Sequence, residues 1–139
     1  MIYTTYFANL KNLDHETSCP IAICGKSPDG YNGLEYKKLA PKWWFFKQWK
    51  ETHDNDFYIE NFNKEVLSVT SPQKVMMDIR NLIAFVYGVD KVDYSERWWE
   101  NVPYDIYLVC YEKPGDFCHR HLVADWFTAN GIEVKEASI

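Results

Sequence analysis

The run Cys19–Cys24, CPIAIC, is apolar at every position and stops at Gly25. A strand with one face in water alternates apolar and polar residues. A short run without alternation fits a strand buried on both faces, the usual state of a parallel sheet. Three other segments suit the same sheet: MIYTTYF (Met1–Phe7), rich in β-branched and aromatic residues; DIYLVCY (Asp105–Tyr111); and IEVKE (Ile132–Glu136), whose alternation suits an edge strand.

Helical patterns separate these strands. Lys42 to Lys50 reads as a helix, and Asp54 to Val69 as a second. Ser71 is a natural N-cap and Pro72 a natural first helical residue. Val75, Met76, Ile79, Leu82, Ile83 and Val86 then keep helical spacing until Gly88 ends the run. After DIYLVCY, the turn PGD places Asp116 to cap a helix whose stripe of Leu122, Val123, Trp126 and Phe127 closes at Gly131. Gly25–Trp43 holds three Gly and two Pro and reads as a long ordered loop, the kind that often carries function. Val89–Asp105 reads as a surface excursion or a short helix. There is no repeat, low-complexity tract or linker. Strands separated by helices predict a single α/β domain over 1–139: a small three-layer sandwich with a mostly parallel, Rossmann-like sheet.

With 47% hydrophobic and 17% aromatic residues, a chain of 139 residues has ample apolar surface for a core. Such a core needs no disulfide staples, so Cys19, Cys24, Cys110 and Cys118 are expected as reduced thiols in a cytoplasmic setting. No apolar run approaches the length of a membrane span, and the first residues lack the pattern of a secretory signal. A net charge of −5 argues against general attraction to duplex phosphates.

In open α/β sheets, ligands collect beyond the carboxyl ends of strands. Here those ends offer Tyr6 and Phe7, then Cys24 to Pro28, then Cys110 to Arg120. With Asp116 as cap, Phe117, Cys118 and His119 would fill the first helical turn, where free backbone N–H groups and Arg120 favour an anion and a thiolate. Cys118 is then a candidate nucleophile, His119 its base or acid, and Glu112 the group that orients His119 or moves a proton. Arg120, Lys113, Tyr111, Lys26 and Tyr6 are candidate ligand-binding residues. The competing account is structural: a buried cysteine, solvated Glu112 and Lys113, and Arg120 paired across the helix start. Cys118 and His121 could share a helical face, but with no C-x2-C and no H-x3-H pair no metal is expected, and no cofactor is assigned.

LVCYEKPGDFCHRHLVADW (Leu108–Trp126) resembles the C-terminal signature of the domain-of-unknown-function 488 family, in which a strand ends in Cys-Tyr-Glu-Lys and a Cys-His-Arg triplet opens the next helix. IYTTYFANLKNL, CPIAICGKSPDGY and LEYKKLAPKW are similar to one branch of it, so the resemblance covers nearly the whole chain. It implies an α/β fold and a pocket without a settled activity. The matching positions are Cys110, Tyr111, Glu112, Lys113, Cys118, His119 and Arg120. Many members carry Asp-Val-Arg after the second strand where this chain has Cys24-Gly25-Lys26, which leaves Lys26 as the substitute cation. Gly88–Tyr104 is also longer than the family pattern implies.

YKKLAPKWWFFKQWK (Tyr36–Lys50) mixes Lys37, Lys38, Lys42, Lys47 and Lys50 with aromatics and contains no acid. Stacking plus phosphate attraction is how single strands of nucleic acid are held. An amphipathic helix with its aromatics in the core and its lysines snorkelling is the favoured account. His15 and His53 sit in polar surroundings and read as surface residues. Two functional readings stay open. One is an enzyme using Cys118 on an anionic small molecule, such as a nucleotide or modified base. The other is a non-catalytic module that binds a nucleotide, nucleic acid or partner protein. Neither involves a membrane, and oligomeric state is not legible.

Overall fold

A computed structural model describes residues 1–138. Five strands form one sheet: β1 (Ile2–Tyr6), β2 (Ser18–Ala22), β3 (Leu34–Glu35), β4 (Asp105–Cys110) and β5 (Val134–Glu136), in the order β3-β2-β4-β1-β5. Every pairing is parallel. Four α-helices connect or flank them: α1 (Trp43–Thr52), α2 (Asn55–Phe62), α3 (Pro72–Tyr87) and α4 (His119–Ala129). This is the α/β sandwich expected from the unbroken apolar run of β2, with a sheet that is wholly parallel.

Register shows how the layers are arranged, because residues paired across a parallel ladder point to the same side. Cys19, Ile106, Ile2 and Val134 form one such row, and Ile21, Leu108, Thr4 and Leu34 lie in the next. Their apolar members share one core with Phe45 of α1, Tyr58 and Phe62 of α2, Val75, Met76, Ile79 and Ile83 of α3, and Val123 and Phe127 of α4. All four α-helices therefore cover this face. The other face carries Pro20, Tyr107 and Tyr3, the last two stacked at 5.2 Å, and its cover is thinner. It comes from the 3-10 turn Phe7–Asn12 and the loop bearing Tyr31, whose hydroxyl donates to the carbonyls of Pro20 and Leu34.

Local chemistry sets the element ends. Ser71 caps α3 by accepting from the Lys74 N–H, Pro72 opens the helix, and Gly88 ends it at φ 120°. Asp54 caps α2 through the Phe57 N–H, and a π-helical turn, Asn63–Leu67, continues it towards the end expected near Val69. The Gly25–Trp43 loop contains β3, a two-residue edge strand held by β2. The segment before β4 forms two 3-10 turns, Val89–Lys91 and Trp98–Glu100, and buries Trp98 and Trp99 in the core.

One expected cap is corrected. Asp116 is exposed and does not cap α4; the N-cap is Cys118, in extended backbone at φ −154° and ψ 143°. Gly115, at φ 92°, lets the chain turn after Pro114, and two more residues pass before the N-cap. No described helix is long and apolar enough to cross a membrane.

Candidate functional site

The chain leaves β2 towards β3 on one side of the sheet order, and leaves β4 through α4 towards β5 on the other. With right-handed crossovers, the two connections depart to opposite faces and open a crevice at the carboxyl ends of these neighbouring strands. A cleft of about 690 Å³ lies there. Cys24, Gly25 and Lys26 reach it from β2, and Cys110, Tyr111 and Glu112 from β4. Phe117, Cys118 and His119 come from the start of α4, and Trp43, Phe46, Trp49 and Lys50 from α1, with Pro41 and Tyr58 completing the lining.

At its floor, His119 Nδ1 lies 3.6 Å from Cys110 Sγ and 3.9 Å from Cys118 Sγ. The other ring nitrogen, Nε2, is 2.7 Å from the Ile23 carbonyl oxygen. A carbonyl only accepts, so Nε2 carries the proton and donates. Nδ1 is therefore the nitrogen that faces the two sulfurs: it donates to them when the ring is protonated and presents a lone pair when the ring is neutral. The backbone beyond β2 therefore performs the orienting task expected of Glu112. The Phe62 ring, 5.5 Å from the imidazole, packs against it.

The two thiols differ. A hydrogen bond from Cys110 does most to hold Cys118 well below the ordinary thiol range; burial opposes this, while His119 and the Arg120 backbone N–H add to it. Cys110 is pushed up by that same hydrogen bond and by burial, so the two titrate as a pair, with Cys110 the donor of the shared proton and Cys118 its acceptor. Cys19, deep in the core, shows burial alone: its thiol is pushed up to about 12. Cys24, raised chiefly by burial, points its sulfur at the Lys26 carbonyl at 3.4 Å.

Rings and cations build the walls. Phe117 meets Tyr58 edge-on at 5.0 Å and Trp49 at 5.4 Å, and Lys50 Nζ lies 5.3 Å from the centre of the Phe46 ring. The Lys26 carbonyl accepts from the Tyr111 hydroxyl as well as from Cys24, which pins the base of this rim lysine.

Of the residues singled out in the sequence, Cys118, His119, Glu112, Tyr111 and Lys26 meet at the cleft. Arg120, Lys113 and Tyr6 do not line it. Arg120 is fully buried beneath α4: Nε and Nη2 form a fork with the Glu136 carboxylate at 3.1 and 2.8 Å, and Nη1 donates to the Glu112 carbonyl. Tyr6 lies under this guanidinium, 5.9 Å from ring centre to Cζ. Arg120 thus clamps the turn after β4 to β5 and has no free face for an anion. Lys113 is exposed.

The expectation for α1 also changes. Phe45 is its one fully buried aromatic; Trp43 is 67% and Trp44 50% exposed, while Phe46 and Trp49 wall the cleft. Helical spacing marks a face that avoids water, but core and cleft wall look alike in that pattern. Cys110 was legible as the end of a strand and as part of the family signature, but not as a partner of His119. Its ladder row with Tyr6 sets it on the helix-covered side, beside His119. His121, weighed in the sequence as a metal partner of Cys118 and set aside, belongs to no ligand cluster among the described residues. No metal was expected there, but the group with metal-ligand spacing is Cys110, Cys118 and His119. No family model, curated protein or solved structure matches the chain.

Proposed function

We propose that the cleft binds a planar, anionic small molecule of the nucleotide or modified-base class, and that Cys118 and His119 act on it. The observation that carries this reading is the meeting of Phe46, Trp49 and Phe117 with Lys26 and Lys50 above a Cys–His floor. Rings of this spacing offer a stacking surface, and the two rim lysines supply the charge that Arg120 cannot. As bare side chains, Cys118 and His119 offer nucleophilic chemistry: the Cys118 thiolate bonds to an electrophilic carbon of the ligand as that carbon's bond to its leaving group breaks, and the leaving group takes a proton from His119. Membership of the domain-of-unknown-function 488 family belongs to the same proposal, supported by the CYEK and CHR motifs at this crevice.

Tryptophan fluorescence tests the reading, because Trp43 and Trp49 line the cleft. Nucleoside monophosphates are expected to quench emission saturably. Lys26→Ala and Lys50→Ala are each expected to weaken binding about tenfold, the loss of one charge-assisted contact. Binding that ignores both substitutions would refute the anion assignment. A non-catalytic binding module is the second reading, favoured by walls and lysines that hold a ligand without using the thiol. It predicts that Cys118→Ser binds as tightly as wild type and that the ligand is recovered unchanged.

A further inference from the structure

The geometry points to a zinc site at the floor of the cleft, with Cys110 Sγ, Cys118 Sγ and His119 Nδ1 as three ligands and the fourth position open to the bound molecule. It rests on the reading of the cleft as a ligand site and gives that site a Lewis acid. The three donor atoms lie within 4.8 Å of one another. Around a tetrahedral zinc with bonds of about 2.3 Å to sulfur and about 2.1 Å to nitrogen, each sulfur–nitrogen edge is about 3.6 Å. The edges found are 3.6 and 3.9 Å, so the nitrogen already stands at ligand distance from both sulfurs. The sulfur–sulfur edge needs to close by at most about 1 Å.

The second nitrogen of His119 supports this independently. A metal-binding histidine regularly donates its other N–H to a carbonyl or carboxylate, which fixes the ring and leaves the lone pair for the ion. His119 donates Nε2–H to the Ile23 carbonyl at 2.7 Å. Donor chemistry selects the ion: two thiolates and an imidazole suit a soft or borderline cation and exclude magnesium and calcium. With a dication the set is neutral, as a site this buried requires; the three residues are 4–5% exposed. Cys24 is turned to the Lys26 carbonyl and lies outside the cluster, so the described residues supply three ligands and no fourth. Three protein ligands with an open position are the arrangement of catalytic zinc.

The test uses the full chain, stripped of metal with a chelator and kept reduced. Titration with Co²⁺ is expected to give thiolate-to-metal charge-transfer absorption that saturates at one ion per chain and is displaced by Zn²⁺. Zinc is expected to shield Cys118 from iodoacetamide, read peptide by peptide, without changing Cys19. Cys118→Ser and His119→Gln should each weaken zinc binding by more than about 100-fold, beyond the loss seen for an outer-shell partner. Cys19→Ala should bind as wild type does. Absence of the charge-transfer band, or shielding that does not fall on Cys118, overturns the proposal even if the substituted chains fail to fold. Nucleotide binding without zinc binding would refute the metal alone; zinc binding without nucleotide binding would refute the ligand class alone.

Discussion

Replacing Glu136 by Ala should destabilise the protein by about 3 kcal/mol, because it strands a guanidinium that has no exposure of its own. Glu136 accepts two hydrogen bonds from Arg120, at 3.1 and 2.8 Å. Hydrogen bonds to charged groups are worth about 1.5–3 kcal/mol each, and breaking a fully buried pair costs about 3–5 kcal/mol. The lower end applies because the Glu136 side chain is 27% exposed, so water can take part of the vacated place. For 139 residues, 3 kcal/mol corresponds to a fall of about 10 °C in Tm. Thermal and urea unfolding followed by circular dichroism would read it. The same substitution made alongside Arg120→Met should cost far less, since no charge is then left unpaired. A loss below about 1 kcal/mol for Glu136→Ala, the value of an exposed pair, would refute the clamp and return Arg120 to the list of ligand-binding residues.

The Tyr36 hydroxyl donates to Asp78 Oδ2 at 2.6 Å, so Tyr36→Phe should cost about 1.5 kcal/mol at neutral pH in urea titrations. Burial works against the Asp78 charge, but hydrogen bonds from Lys74 and Tyr36 and the charge of Lys38 hold its carboxyl below its ordinary value. Its contribution is therefore present above the unfolded value near pH 4 and lost as pH falls through the folded one, so the Tyr36→Phe deficit should shrink in acid. In the metal-free, reduced chain, alkylation of Cys118 should be nearly as fast at pH 6 as at pH 8, because its depressed value keeps the thiolate populated at both. An ordinary thiol slows about 80-fold over that interval. A Cys118 that slows as much would contradict the shared-proton arrangement with Cys110.

The parts of this fold that were legible in the sequence are those fixed by neighbours along the chain. The unbroken apolar run of β2 announced a parallel sheet, and Ser71-Pro72 with Gly88 marked α3 at both ends. β3 was hidden because two residues carry no periodicity; its strand character comes from Ile21 and Ala22 across the ladder. The start of α4 was misplaced because Asp116 has the chemistry of a cap, whereas the extended backbone at Cys118 decides where the helix begins. Arg120 looked like an anion-binding residue because its partner, Glu136, lies sixteen positions further on, in β5. The place of the cleft was legible from the strand ends. Its floor was not, since Cys110 and His119 meet only when strand register and helix packing are both known.

The most direct test of the account is the iodoacetamide rate of each cysteine in the metal-free, reduced protein, with and without a saturating nucleoside monophosphate. Cys118 should be the fastest of the four, well ahead of the core thiol Cys19, and the nucleotide should slow Cys118 while leaving Cys19 unchanged. A Cys118 no faster than Cys19, or one indifferent to the nucleotide, would contradict the placement of a reactive thiolate at the floor of a ligand cleft.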